Sequence, residues 1–161
     1  MGTTSARLVA SLALAAALLA APVPASATHP DRLQPFQAEH TGVCGVVSAT
    51  EGTLHWYATH SPEPSAVGVE GYVKLSDPGI CAFLVAPTAV AVFTAYSGER
   101  VVDRELVSTT SSGKVSLTLT PDSPWYPSPQ IDRVEVTACI GAARWDDGVT
   151  PSECGKPVSY P

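Results

Sequence analysis

The chain has 161 residues, and its 15 acidic side chains outnumber the nine basic ones to give a net charge of −6. This length suits one domain with a single hydrophobic core. Hydrophobic residues make up 45% of the chain, which is sufficient to form that core. The acidic balance repels phosphate groups, so nucleic acid and anionic membranes are excluded as expected partners.

The first 27 residues have the pattern of a secretory signal peptide. Arg7 supplies a positive charge, residues 8–21 are apolar, and Ala25-Ser26-Ala27 matches an A-x-A cleavage site. The apolar run is shorter than the roughly 20 residues that a membrane span needs. We therefore expect residues 1–27 to be removed and the product to be secreted to the extracellular space without a membrane anchor.

A polar segment follows the signal peptide. Residues 28–40 are mostly polar and contain two prolines. Such segments at a domain terminus are commonly mobile. The sequence therefore predicts a flexible lead-in over 28–40 and a folded domain over 41–161.

The domain shows short runs with strand character, separated by turn residues. The runs are 41–49, 53–60, 66–76, two runs within 80–96 that join at Pro87, 99–108, 114–120 and 131–141. Glu51-Gly52 and Asp77-Pro78-Gly79 have turn composition. A helix over 80–96 is disfavoured because Pro87 would remove a backbone hydrogen bond and clash with the preceding turn.

Alternation within these runs predicts which side chains face the core. Trp56 is expected inward and Tyr57 outward, because neighbouring strand residues point to opposite faces. In the last run, Val134, Val136 and Ala138 share the inward face. Seven to eight such strands without an amphipathic helix predict an all-β fold, a single antiparallel β-sandwich that is immunoglobulin-like or related.

Four cysteines in an exported chain predict two disulfides. Three pairings are open from the sequence. We favour Cys44 with Cys81 and Cys139 with Cys154, because Cys139 ends a strand-like run and the segment after it has the composition of a returning loop. No closely spaced cysteine pair of the zinc-binding type is present.

Segments of the C-terminal half resemble a group of known proteins. VVDRELVSTTSSGKVSLTLT, then DRVEVTACIG and ECGKPVSYP, resemble segments of small secreted actinobacterial proteins in which a core strand ends in a cysteine and a second cysteine follows within a loop. The resemblance covers roughly residues 99–161. It implies an exported all-β protein and transfers no activity or site residue.

Catalytic patterns are weak in this sequence. No G-x-S-x-G elbow is present. His55 and His60 would point to opposite faces of an unbroken strand, and His29 and His40 belong to the lead-in. The acidic residues of the strands are interleaved with Arg100, Arg104 and Arg133, which predicts ordinary surface ion pairs. We therefore expect a protein that is not an enzyme and needs no cofactor.

The loop between Cys139 and Cys154 raises the question of a metal site. Asp146, Asp147 and Glu153 offer oxygen ligands of the kind that extracellular calcium sites use. The alternating carboxylates of an EF-hand loop are missing, and Asp147-Gly148 is explained as a turn. No metal site is therefore predicted.

Aromatic residues in stiffened loops are the remaining candidates for a ligand-binding site. Trp125 and Tyr126 lie among prolines, and Trp145 lies inside the predicted disulfide loop. Rigid aromatics either cap the core or contact a partner such as an extracellular protein or a cell-wall glycan. A secreted inhibitor of extracellular hydrolases and a small secreted hydrolase are the alternative functions.

Overall fold

The computed structural model describes residues 32–57, 65–79, 86–121, 129–143 and 149–161. These residues form nine β-strands and a 3-10 turn at Val43–Gly45, with no α-helix among them. The strands are β1 Arg32–Thr41, β2 Val47–Tyr57, β3 Ala66–Ser76, β4 Pro87–Ser97, β5 Arg100–Thr109, β6 Ser112–Leu119, β7 Arg133–Ala143, β8 Val149–Cys154 and β9 Val158–Tyr160. The predicted all-β class is confirmed, with one or two strands more than expected.

The strands form two antiparallel sheets. The first sheet has the order β1-β2-β3-β6, and the second has the order β5-β4-β7-β8, with β9 also paired to β7. The chain leaves the first sheet after β3, builds β4 and β5 in the second sheet, and returns as β6 beside β3. Each sheet therefore combines strands that are distant in the sequence.

One hydrophobic core draws side chains from both sheets. Phe36 of β1 and Phe93 of β4 meet edge to face, with ring centroids 5.6 Å apart. The buried core residues are Phe36, Ala38, Leu54, Trp56, Val67, Val69, Val73, Ala89, Ala91, Phe93, Ala95, Val102, Val115, Leu119, Ile131, Val134, Val136 and Ala138. Burial of each large side chain stabilises the fold by roughly 1.5–3 kcal/mol, so this shared core is the main link between the sheets.

The predicted inward faces are confirmed where the strands are described. Trp56 is 3% exposed, whereas its neighbour Tyr57 is 43% exposed. Val134, Val136 and Ala138 of β7 are all buried. The alternation of the strand backbone therefore orients these side chains as the sequence pattern indicated.

The prediction of a flexible lead-in over residues 28–40 is wrong from residue 32 onward. β1 pairs with β2 along its whole length, from Arg32 opposite Trp56 to Thr41 opposite Val47. Phe36 is buried in the core. Pro35 concealed the strand in the sequence, but β1 is an edge strand, where a residue without an N–H is tolerated.

The turn predicted at Glu51-Gly52 was also wrong, because β2 runs unbroken through both residues. Gly52 lies opposite Gly71 of β3 and opposite Phe36 of β1. A Cβ added to Gly52 would lie 2.7 Å from the Cα of Gly71 and nearer still to the carbonyl oxygen of Glu70. Gly52 therefore serves a close approach of two strands and not a chain reversal.

The remaining strand predictions agree with the structure in part. β3 has the predicted bounds 66–76, and β5, β6 and β7 lie within one or two residues of the predicted runs. β4 begins at Pro87, whereas residues 80–85 of the same apolar run lie outside the described residues. The returning loop after Cys139 ends in strand β8, which was missed because Pro151 interrupts its pattern on an edge strand.

The disulfide predicted between Cys139 and Cys154 is confirmed. The two residues are direct cross-strand partners in β7 and β8. The second predicted pair, Cys44 with Cys81, stays a prediction because Cys81 lies outside the described residues. None of the described cysteines is a free thiol.

The first and last strands are tied together by side chains. The Tyr160 hydroxyl accepts a hydrogen bond from the backbone N–H of Gln37 at 2.8 Å and donates one to its carbonyl oxygen at 2.9 Å. The guanidinium of Arg32 donates to the carbonyl oxygen of Pro161 and lies 4.5 Å from the Trp56 ring centroid. These contacts occupy the free edge of β1 and join the sheets at that side.

Candidate functional site

A groove lies on the outer face of the second sheet, opposite the core. Cross-strand pairing places Arg104 of β5, Thr94 of β4 and Glu135 of β7 in one row. Rows on either side of it contain Val101, Tyr96 and Arg133, and then Leu106, Val92 and Thr137. Side chains of one row point to the same face, so residues far apart in the chain meet in the groove.

The groove combines polar walls with a small volume. Its volume is about 360 Å³, within the roughly 300–1,000 Å³ typical of small-molecule sites. The polar lining residues are Thr94, Tyr96, Arg104, Glu135 and Thr137. These side chains offer hydroxyl groups, one carboxylate and one guanidinium, so both donors and acceptors are available to a ligand.

The floor of the groove is largely apolar. Val92 is 4% exposed and packs with the fully buried Cys139 on this outer side of the sheet. The disulfide to Cys154 lies at one end of the groove, beside Gly155 and Pro157. The covalent link between β7 and β8 therefore stiffens the end of the groove.

Tyr96, Glu135 and Arg133 form a connected cluster at the groove wall. The Tyr96 hydroxyl donates to Oε2 of Glu135 at 3.0 Å. The guanidinium of Arg133 lies 4.2 Å from the Tyr96 ring centroid, and its Nε is 3.8 Å from Oε1 of Glu135. The stacked cation and the ion pair hold the ring and the carboxylate in place.

This environment changes the acidity of the phenol. Desolvation raises the pKa of Tyr96, and the hydrogen bond to Glu135 and its negative charge raise the pKa further, against an opposing effect of Arg133 and Arg104. The phenol therefore stays protonated near neutral pH. Tyr96 is a hydrogen-bond donor to Glu135 and not an activated nucleophile.

The outer face of the first sheet has its own polar contacts. Nε2 of His55 lies 4.0 Å from Oε2 of Glu70, and the His55 and Tyr57 ring centroids are 6.4 Å apart. A Cβ added to Gly68 would lie 2.8 Å from the Tyr57 hydroxyl, so the tyrosine covers this glycine. These contacts are explained by cross-strand packing on a solvent-facing surface.

The described acidic and histidine residues form pairs and not larger clusters. Glu153 of β8 lies 3.9 Å from Nε2 of His40 and accepts a hydrogen bond of 3.4 Å from the backbone N–H of Val43. Asp146 and Asp147 lie outside the described residues. Among the residues that the structure describes, no three histidine, cysteine or acidic side chains are grouped to hold a metal ion.

The aromatic site predicted from the sequence is not tested by the structure. Trp125 and Tyr126 fall in 122–128, and Trp145 falls in 144–148, two segments outside the described residues. Sequence patterns do not mark the groove residues Tyr96 and Thr94, because the run 80–96 that contains them is mostly apolar. Their alternation with the core residues of β4 was the available signal.

The expected surface ion pairs form for some charged residues and not for others. Arg133 pairs with Glu135, and Lys74 pairs with Glu51. Within the described ranges, neither the guanidinium of Arg100 nor that of Arg104 lies within 4.0 Å of a carboxylate oxygen. Arg104 is therefore an uncompensated cation in the wall of the groove.

Comparison with models of protein families, with curated proteins and with solved structures finds no match. In the described part of the chain, no helix has the length and apolar character that a bilayer crossing requires. The chemistry of the groove is therefore the basis for a functional proposal.

Proposed function

We propose that the protein is an exported, non-catalytic β-sandwich with immunoglobulin-like topology, and that its outer-face groove binds an extracellular glycan. The observation that carries the proposal is a compact groove in which hydroxyl, carboxylate and guanidinium groups surround an apolar floor. Saccharides present hydroxyl groups and apolar C–H faces in the same molecule. Such a ligand makes use of both kinds of surface.

The topology supports the sandwich. In immunoglobulin-like proteins, two antiparallel sheets pack face to face and successive strands cross between them. The core shared by both sheets and the return of β6 beside β3 agree with that arrangement. The signal-like residues 1–27 and the Cys139–Cys154 disulfide support export, because disulfides persist in oxidising compartments.

The edge of the second sheet favours a compact ligand over a peptide strand. An extended peptide commonly binds by pairing with an exposed edge strand. β5 is the edge strand beside the groove, and Asp103 accepts hydrogen bonds of 2.7 Å from the backbone N–H groups of Arg104 and Thr120. A charged residue on an edge strand disfavours strand addition.

Among the described residues, the groove also lacks the pair of carboxyl groups that most glycosidases use to cleave a glycosidic bond. Most glycosidases place two carboxyl groups roughly 5–9.5 Å apart across the bond. In the described ranges, Glu135 is the carboxylate that lines the groove. Because Tyr96 stays protonated, it does not supply a second nucleophile. These features support binding without hydrolysis.

A glycan array followed by isothermal titration calorimetry tests the proposal. We expect Tyr96→Ala to weaken binding of the best glycan at least tenfold, because the variant removes a ring and a hydroxyl from the groove. Tyr72→Ala is the matched control, since Tyr72 is a strand tyrosine that is 52% exposed on the first sheet. Absence of glycan binding at millimolar concentrations, or an equal loss in both variants, contradicts the proposal.

A further inference from the structure

Arg104 is the charged residue of the groove whose guanidinium forms no ion pair in the described part of the chain. It is exposed and lines the groove, and within the described residues it forms no ion pair. Arg133, by contrast, stacks on Tyr96 and pairs with Glu135. The two arginines lie on the same face of the sheet, and among the described residues only the Arg133 guanidinium is paired with a carboxylate.

The neighbouring carboxylate does not neutralise Arg104. Both oxygens of Asp103 are occupied by backbone N–H groups, Oδ1 by that of Arg104 and Oδ2 by that of Thr120. Asp103 also precedes Arg104 in the strand, so its side chain leaves the opposite face of the sheet. The guanidinium of Arg104 therefore keeps its five donors for a ligand or for water.

The charge of the groove differs from that of the whole chain. The protein carries a net charge of −6, which repels anionic ligands at long range. In the groove, the negative charge of Glu135 is already paired with Arg133, which leaves the positive charge of Arg104 in excess. An anionic group is therefore favoured at this place on an otherwise acidic molecule.

The spacing of the row limits what fits between the two charged residues. Arg104 and Glu135 are separated by Thr94, one strand from each. Neighbouring strands lie about 4.8 Å apart, so the two side chains begin about 10 Å apart. One sugar ring above Thr94 would reach the guanidinium with one substituent and the Glu135 carboxylate with a hydroxyl on its other side.

From these observations we infer that the groove selects a saccharide unit that bears a carboxylate, with Arg104 as the residue that binds it. The inference rests on the proposed glycan-binding function and adds the class of glycan. A guanidinium matches a carboxylate with two parallel hydrogen bonds. A guanidinium also pairs with phosphate in this way, so a phosphate compound serves as the competing anion in the test.

Calorimetric titration of the wild-type protein with trigalacturonate and with its methyl ester tests this inference. We expect the free acid to bind at least tenfold more tightly than the ester, since the ester keeps the ring but loses the charge. Glycerol phosphate, as a phosphate probe, should bind more weakly than the acid.

Two substitutions on the same strand separate the role of Arg104 from a general charge effect. Arg104→Gln should abolish the preference for the acid, while Arg100→Gln, which removes an arginine outside the groove lining, should keep it. Both residues are exposed, so unchanged thermal midpoints will show that the variants fold.

Each outcome distinguishes the two proposals. Equal binding of acid and ester, an equal effect of the two substitutions, or tighter binding of glycerol phosphate overturns the carboxylate inference and leaves glycan binding in place. Binding of neither oligosaccharide overturns the carboxylate inference, and a glycan array without any ligand overturns the proposed function as well.

Discussion

Gly52→Ala tests the close approach of β2 and β3 at Gly52, where the sequence had predicted a turn. The added Cβ would lie 2.7 Å from the Cα of Gly71 and 2.9 Å from the carbonyl carbon of Glu70. Carbon atoms in contact prefer about 3.5–4.0 Å, so the strands must separate by about 1 Å. Both obstructing atoms belong to the backbone of the partner strand and cannot move away as a side chain can.

The expected cost follows from that displacement. Overpacking of this kind costs about 1–3 kcal/mol, and weakening one or two ladder hydrogen bonds costs about 1 kcal/mol each. The reduced entropy of the unfolded chain offsets about 0.4–1 kcal/mol. We expect a net destabilisation of about 2–4 kcal/mol, and a fall in the thermal midpoint of about 10 °C for a domain of this size.

Urea unfolding at equilibrium, followed by circular dichroism, measures this change in the free energy of unfolding. Gly68→Ala is the matched control, because the three atoms nearest to its Cβ all belong to the Tyr57 side chain, which can rotate away. The control should change stability by less than about 1 kcal/mol. A Gly52→Ala variant as stable as the control would refute the close approach.

Three further perturbations follow from contacts outside this region. Tyr160→Phe removes both hydrogen bonds to the Gln37 backbone and should lower the free energy of unfolding by about 1–2 kcal/mol in urea titrations. Replacement of both Cys139 and Cys154 by serine removes a disulfide that closes a separation of 15 residues, and should destabilise the protein by about 3 kcal/mol, measured by urea unfolding. Unchanged stability in either experiment would contradict the structural role given to the contact. Because the folded-state pKa of Tyr96 is raised above its ordinary value of 10.0, its contribution to stability is complete below pH 10 and is lost as the pH rises further. Ultraviolet titration should show that wild type has an ionisation above pH 10 that Tyr96→Phe lacks, and identical titration curves for the two proteins would refute the raised pKa.

Local patterns in the chain were sufficient for the fold class and for much of the core. Apolar alternation predicts that Trp56, Val134 and Val136 face the core. This prediction depends only on the two-residue repeat of a strand. The same repeat located β3 over residues 66–76. The pairing of Cys139 with Cys154 was also reached, because a strand and a returning segment at that spacing favour it.

Strand edges and close contacts were not accessible from local patterns. β1 is polar and contains Pro35, and it is a strand because β2 supplies its hydrogen-bond partners. Gly52 has the composition of a turn, but it is required where two backbones meet. Trp125, Tyr126 and Trp145 stay a sequence-based prediction, because they lie outside the described residues.

The sequence by itself therefore determined that the chain is acidic, all-β and signal-like at its start. Net charge depends on composition alone, and strand alternation and the signal pattern are local features of the chain. Only the tertiary structure decided that Arg104, Thr94 and Glu135 form one row in a groove. Their meeting depends on the register of three antiparallel strands, and a shift of one residue in that register would send a side chain to the opposite face of the sheet.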